Sequence, residues 1–310
     1  MNHLRFLFSS LFVVAVLAYS TSAQDRTFVA STGKDSNPCS RTAPCKTFQE
    51  AVHAVAAGGE VVALDSGGFG SNISITKPLS IIAPPGVYAA ISVSAGDGIS
   101  ISGGADSVVL RGLTVINHGS SGSGIVFSTS FGTLHVEDCV VSGFSVGIPS
   151  AAGLAFVGGG RLEVADSTFR HNVQGIIIQP ATGTASGTIE RVIARENTGA
   201  GVNVREGASI TVRNTVSAAN IDGFLALSET AATAELNIEN CLASENTVGV
   251  ASDVTSTGTA RVRLSNSTIT NNFNFGILVP SPAVFLSRGN NTVEGNATDI
   301  SGTVGSYSAK

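Results

Sequence analysis

Tryptophan is absent from the 310 residues and tyrosine occurs three times. A sugar-binding groove floored by stacked aromatic rings therefore has little material to draw on. Charge is also sparse. Asp, Glu, Lys and Arg make up 13% of the chain, the net charge is −5, and the basic residues are scattered. No basic stripe exists to neutralise phosphates, which excludes nucleic acid as a partner. Beyond the first two dozen residues no apolar run approaches the roughly twenty residues of a membrane span. What is abundant is glycine, 36 residues, together with Ser, Thr, Asn and Val. That mixture favours strands and turns over helices.

The first segment, MNHLRFLFSSLFVVAVLAYSTSAQ, places Arg5 ahead of an apolar run from Phe6 to Ala18, with small residues at Thr21 and Ala23. This is the layout of a secretory signal, with cleavage expected after Ala23. The run is too short for a membrane anchor and is interrupted by Ser9 and Ser10. The mature protein is expected to be secreted or periplasmic, with no membrane span after cleavage.

Internal repetition decides the fold. Val136, Val164, Ile189, Val212, Ile238 and Leu264 are each followed, eight residues on, by Phe144, Asn172, Asn197, Asn220, Asn246 and Asn272. Three or four residues later stand Gly147, Gly175, Gly201, Gly223, Gly249 and Gly276, at spacings of 22 to 28 residues. A weaker early copy runs Val109, Asn117, Gly124. Units this small cannot bury their own apolar face and must stack into a solenoid. Within each unit apolar residues alternate, as in Leu236 and Ile238 or Val248 and Val250, without helical spacing. The recurring leucine frame of leucine-rich repeats is missing. The expectation is all-β, a single-stranded parallel β-helix in which residues at one offset form ladders. The Asn ladder is expected at a left-handed bend, with amides bonding along the stack, and the Gly ladder at a tight turn into the next strand.

Units such as LSNSTITNNFNFGILV (264–279) and VADSTFRHNVQGIII (164–178) resemble the right-handed parallel β-helix repeat proteins of the pectin-lyase-like group, over about 60–300. The resemblance implies the fold. It leaves function open, because that group includes lyases, hydrolases, epimerases, adhesins and proteins without assigned activity. The Asn-Thr-Asp, Asp-Asp and Gly-His-Gly motifs of its polygalacturonase-like branch are missing, as is the Arg-x-Pro-x-x-Arg of pectate lyases. Only fragments stand in their place, at His118–Gly119 and RVR (261–263).

The chain divides into the signal peptide (1–23), an N-terminal segment (24–59), the β-helix (60–300) and a tail (301–310). In the second part KTFQEAVHAVAAGG (46–59) reads as a lid helix, with a capping box of Thr47 and Glu50. Its apolar stripe comprises Phe48, Ala51, Val52 and Val55, and Gly58 is the stop. Cys39 and Cys45 are expected to pair in the loop before it. Cys139 and Cys241 share an offset with Ser167, Val192, Thr215 and Ser267 and read as buried free thiols.

Two outward lines are candidates for chemistry. The line Ile177, Asn203, Leu225, Ala251, Leu278 carries no charge. The other holds His135, Glu137, Glu163, Glu190, Arg213, Glu239 and Arg263. Its alternating charges suit a solvated face of ion pairs. The sharper reading is a carboxylate pair, Glu137 and Glu163, with His135 beside it, acting as acid and base. No metal or cofactor is expected. The leading expectation is a non-catalytic binder of a polysaccharide or cell-surface component. The alternative is a polysaccharide lyase, hydrolase or epimerase with a non-standard active site.

Overall fold

The computed structural model describes residues 24–146 and 151–308. The expected signal segment (1–23) and Gly147 lie outside them. The chain winds into a parallel β-solenoid of three sheets. The first has twelve strands, from Gln24–Val29 to Val304–Ser306. The second runs from Gly67–Gly68 to Thr292–Glu294, and the third from Ile73–Ile75 to Thr298–Gly302, each with ten strands. One coil illustrates the path: Thr259–Ser265 in the first sheet, Thr268–Thr270 in the second, Phe275–Val279 in the third. One short helix, α1 (Phe48–Ala54), accompanies them. Among the described residues no helix is long and apolar enough to cross a membrane.

The apolar anchors Val136, Val164, Ile189, Val212, Ile238 and Leu264 are paired in one row and buried inside the coil. The early copy is one residue off the expected frame, since Leu110, not Val109, pairs with Val136. Most of the phenylalanine also points inward: Phe69, Phe127, Phe144, Phe156, Phe169, Phe224 and Phe285 are fully buried. Each contributes about 2–3 kcal/mol through burial. The scarce aromatic material is thus spent on the core, with Phe127 and Phe156 stacked at 4.5 Å.

The Asn ladder is continuous, but it does not occupy the left-handed bend. The residues with positive φ are those just before it: His171 (54°), Glu196 (56°), Ala219 (56°), Glu245 (58°) and Asn271 (55°). The asparagines serve hydrogen bonding instead. Each Nδ2 donates to the next Oδ1, from Asn172 through Asn197, Asn220, Asn246 and Asn272 to Asn296, at 2.7–3.2 Å. The same Oδ1 atoms accept backbone N–H groups from the preceding coil. Asp299 Oδ1 ends the chain by accepting from Asn296 N and Nδ2. A buried amide satisfied at every site, polarised in one direction, is strongly stabilising.

The glycines answer to the same device. Gly175, Gly201, Gly223, Gly249 and Gly276 have ordinary φ, so no left-handed turn requires them. A Cβ on Gly201 would lie 2.1 Å from Ser217 Oγ and 3.0 Å from Asn220 Nδ2, and one on Gly223 would lie 2.4 Å from Gly249 O and 2.9 Å from Asn246 Nδ2. Glycine is needed for close approach to the amide stack. Gly153 holds the place expected of Gly147, because Leu154 pairs with Ile176 directly after it.

A second left-handed ladder forms the corner between the first and second sheets: Gly112, Asp138, Asp166, Arg191, Asn214, Asn240 and Asn266 all have positive φ. The cysteine offset follows it. Ser167 Oγ accepts Cys139 N and donates to Ala165 O, and Ser267 Oγ does the same for Cys241 N and Ser265 O. The thiols are buried substitutes for these hydroxyls. Desolvation pushes Cys139 up to about 12 and Cys241 up to about 11.

At the N-terminal end, α1 buries Phe48, Ala51 and Val52 against the first coil, with Phe48 5.2 Å from Phe69. The helix is shorter than the sequence suggests. Val55 already begins the strand Val55–Ala63, and Gly58 (φ 80°) sits at the register shift where that strand meets Gln24–Val29. Half of the expected capping box forms, with Glu50 N donating to Thr47 Oγ1. The Thr47 N–H goes to Asp35 Oδ1 instead of Glu50. Cys39 and Cys45 are disulfide-bonded, Cα atoms 4.6 Å apart. Strand pairing extends past the 60–300 span at both ends, through Gln24–Val29 and Val304–Ser306.

Candidate functional site

The charged outward residues of the first sheet form two rows rather than one. His135 pairs with Glu163, while Glu137 pairs with Arg111 on one side and Ala165 on the other. The two glutamates are therefore diagonal and two positions out of register. Each has its own arginine: Arg111 donates to Glu137 at 2.6–2.7 Å, and Arg161 approaches Glu163 at 2.5 Å, off the hydrogen-bond axis. A carboxylate pair sharing a proton needs the two groups in contact without such compensation. Further along, Glu190 pairs with Arg213 at 3.3 Å. Arg191 grips Asp166 with two bonds of 2.7 and 2.8 Å, which holds that carboxyl below the usual carboxylate range and raises the guanidinium. This is the geometry of a solvated ionic lattice.

The outer face of the third sheet differs. Val126, Ala155, Ile177, Asn203, Leu225, Ala251 and Leu278 are paired in one row. They point away from the core, yet Ile177, Asn203 and Ala251 are only 2–3% exposed. Ile177 packs with Ala152 and Ala155, and with Val126 and Val157, in a small apolar cluster of its own. The uncharged outward line is thus largely sheltered. Asn203 lies within it as a buried amide whose Oδ1 has no hydrogen-bond partner.

Two residues further along each strand the same alternation brings charge onto this face. Arg205 pairs with Leu227, and Leu227 with Asp253. Arg205 Nη1 is 2.7 Å from Glu229 Oε2 but misaligned, so its Nε and Nη1 remain buried donors without a hydrogen bond. Glu206 Oε2 accepts the Glu229 N–H. Asp222, at the start of the strand Asp222–Ser228, is half-buried. Desolvation, then the negative charge of Asp253, pushes its carboxyl up to about 6. A carboxyl raised in this way is a candidate for proton transfer, while Asp253 stands five positions further along the neighbouring strand, since Asp222 pairs with Val248 and Leu227 with Asp253. Asp222, Arg205 and Asp253 escape a reading of the Asn203 line alone, and following the alternation one step further reaches two of them. Among the described residues no group of three or more His, Cys, Asp or Glu is placed to hold a metal.

Parallel coils stacked through three sheets define a right-handed β-helix. The chain belongs to the right handed beta helix region family, whose model matches residues 88–237 and 149–298. No curated protein matches the sequence. Among solved structures, pectate lyase Pel9A superposes with a TM-score of 0.67 at 18% identity, covering 89% of this chain and 78% of its own. Alginate lyase from Paenibacillus sp. str. FPU-7 gives 0.64 at 14%, covering 90% and 99%. The A-module of the Azotobacter vinelandii mannuronan C-5 epimerase AlgE6 gives 0.52 at 16%, covering 85% and 94%. At these identities the likeness is one of fold.

Proposed function

We propose that the protein is an exported β-helix that binds an extended polysaccharide on the outer face of its third sheet, around Asn203, Arg205 and Leu225. One observation carries this reading: the half-exposed Leu225 and Leu227 lie on one outer face with the half-exposed Asp253 and with Glu229, which pairs with Arg205 at the rim. A hydroxyl-rich chain laid across the strands sets apolar ring faces on the leucines and hydroxyls on the carboxylates. Recognition by hydrogen bonds suits a chain without tryptophan. The names of the superposed proteins, which refer to pectate, alginate and mannuronan, support a polysaccharide as the ligand class. Export is supported by the Phe6–Ala18 run, Ala23 and the Cys39–Cys45 disulfide. His135, Glu137 and Glu163 are assigned to the ionic lattice of the first sheet, not to chemistry.

A second reading rests on Asp222. With its carboxyl raised to about 6, it has the character of a general acid for glycosidic bond hydrolysis. Leu225→Glu, in the centre of the face, tests binding: retardation of the folded variant in a glucomannan gel should be lost, and unchanged retardation places the site elsewhere. A reducing-end assay on wild type and Asp222→Asn tests hydrolysis. Product from wild type alone supports the second reading, and none from either leaves a binding protein.

A further inference from the structure

The geometry points to a polysaccharide without carboxylates, neutral or carrying amino groups, as the ligand of the third-sheet face. This inference rests on the reading of that face as a glycan site and concerns its charge. Six adjacent strands of the face run from Ala152–Phe156 to Phe275–Val279. Their sequences AGLAF, QGIII, AGVNVR, DGFLALS, VGVASDV and FGILV contain one basic residue, Arg205, and two acidic ones, Asp222 and Asp253. Arg205 is already offset by Glu229, 2.7 Å away. Glu206, bonded to the Glu229 backbone, adds a further carboxylate at the same rim. Within these six strands no uncompensated cation is left to receive a uronate.

A uronate polymer brings a carboxylate with every ring. Placing these against Asp253 and Glu206 sets like charges together on a partly desolvated surface, an arrangement that excludes partners. The half-exposed carboxylates of Asp222 and Asp253 fit a different ligand: they accept hydrogen bonds, so hydroxyl and ammonium groups satisfy them. The negative face also draws a cationic glycan toward it. The superposed lyases are named for pectate and alginate, so the inference separates this chain from them in substrate while sharing their fold.

Affinity electrophoresis at pH 7 decides the matter, with glucomannan, mixed-linkage β-glucan, chitosan, polygalacturonate and alginate as the five polymers. At least one of the first three is expected to bind tenfold or more tighter than either uronate polymer. The double variant Asp222→Asn/Asp253→Asn, confirmed as folded by its thermal transition, is expected to gain fivefold or more toward polygalacturonate. Equal or tighter binding of polygalacturonate or alginate by wild type overturns the charge inference while leaving the glycan site standing, as does a double variant with no gain. Binding of none of the five overturns the glycan reading beneath it.

Discussion

At Asn246 four hydrogen bonds converge on one buried amide: Oδ1 accepts from Asn220 N and Nδ2, and Nδ2 donates to Ser217 O and Asn272 Oδ1. Leucine at this position removes all four and leaves the buried Asn220 N–H unpaired, while Asn220 Nδ2 keeps Ala194 O and Ser217 Oγ. A loss of about 2–4 kcal/mol is expected from urea unfolding; a loss below about 1 kcal/mol would contradict the role given to the ladder. The preceding position behaves in the opposite way. Ala219 holds φ 56°, costly for a residue with Cβ, so Ala219→Gly should stabilise by up to about 1 kcal/mol. Asp222 supplies a pH signature. Its folded pKa is raised from 3.8 to about 6, so the folded state binds more protons between those values and stability falls as pH rises through the window. Asp222→Asn should therefore gain about 1–2 kcal/mol at pH 7.5 and nothing at pH 3.5. A gain that is the same at both pH values would refute the buried-acid assignment.

At the scale of elements, the coil period was legible because stacking forces one residue type onto one offset, and six apolar anchors and five asparagines stand in the sequence at those offsets. What those residues do was less legible. Asparagine tolerates left-handed backbone and also stacks its amides, and sequence alone does not separate the two uses. Phe144 breaks the Asn series without breaking the ladder, because its backbone N–H still bonds Asn172 Oδ1. The N-terminal lid shows the same limit. Its apolar residues were readable, but the end of the helix was set by Val55 joining the first sheet, a tertiary contact. Phe48→Ala should cost about 3–5 kcal/mol, since it empties the contact between α1 and Phe69. Denaturant unfolding checks this, and a cost under about 1 kcal/mol would show that α1 is not a structural lid.

Across the whole molecule, distance along the solenoid axis is a number of coils. Cys139 and Cys241 share a ladder position four coils apart, roughly 19 Å at about 4.8 Å per coil, far beyond the roughly 7 Å limit for disulfide geometry. Peptide mapping without reductant should find Cys39 linked to Cys45, with the other two thiols reacting only after denaturation, in keeping with their raised pKa values. A Cys139–Cys241 link would contradict the stacking. Amino-terminal sequencing of exported protein should begin at Gln24. The fold was thus open to sequence reasoning, while the site was not. Asp222, Arg205 and Asp253 are separated by 17 and 31 residues in the chain and share one sheet only because successive coils lie side by side.

Hydrogen exchange with and without saturating glucomannan tests the central claim, that the third-sheet face is the functional surface. Protection on binding is expected in Gln174–Ile178, Ala200–Arg205, Asp222–Ser228 and Val248–Val254, with the first-sheet strands Thr133–Glu137 and Gly160–Ala165 unchanged. Protection centred on His135, Glu137 and Glu163 instead would contradict it.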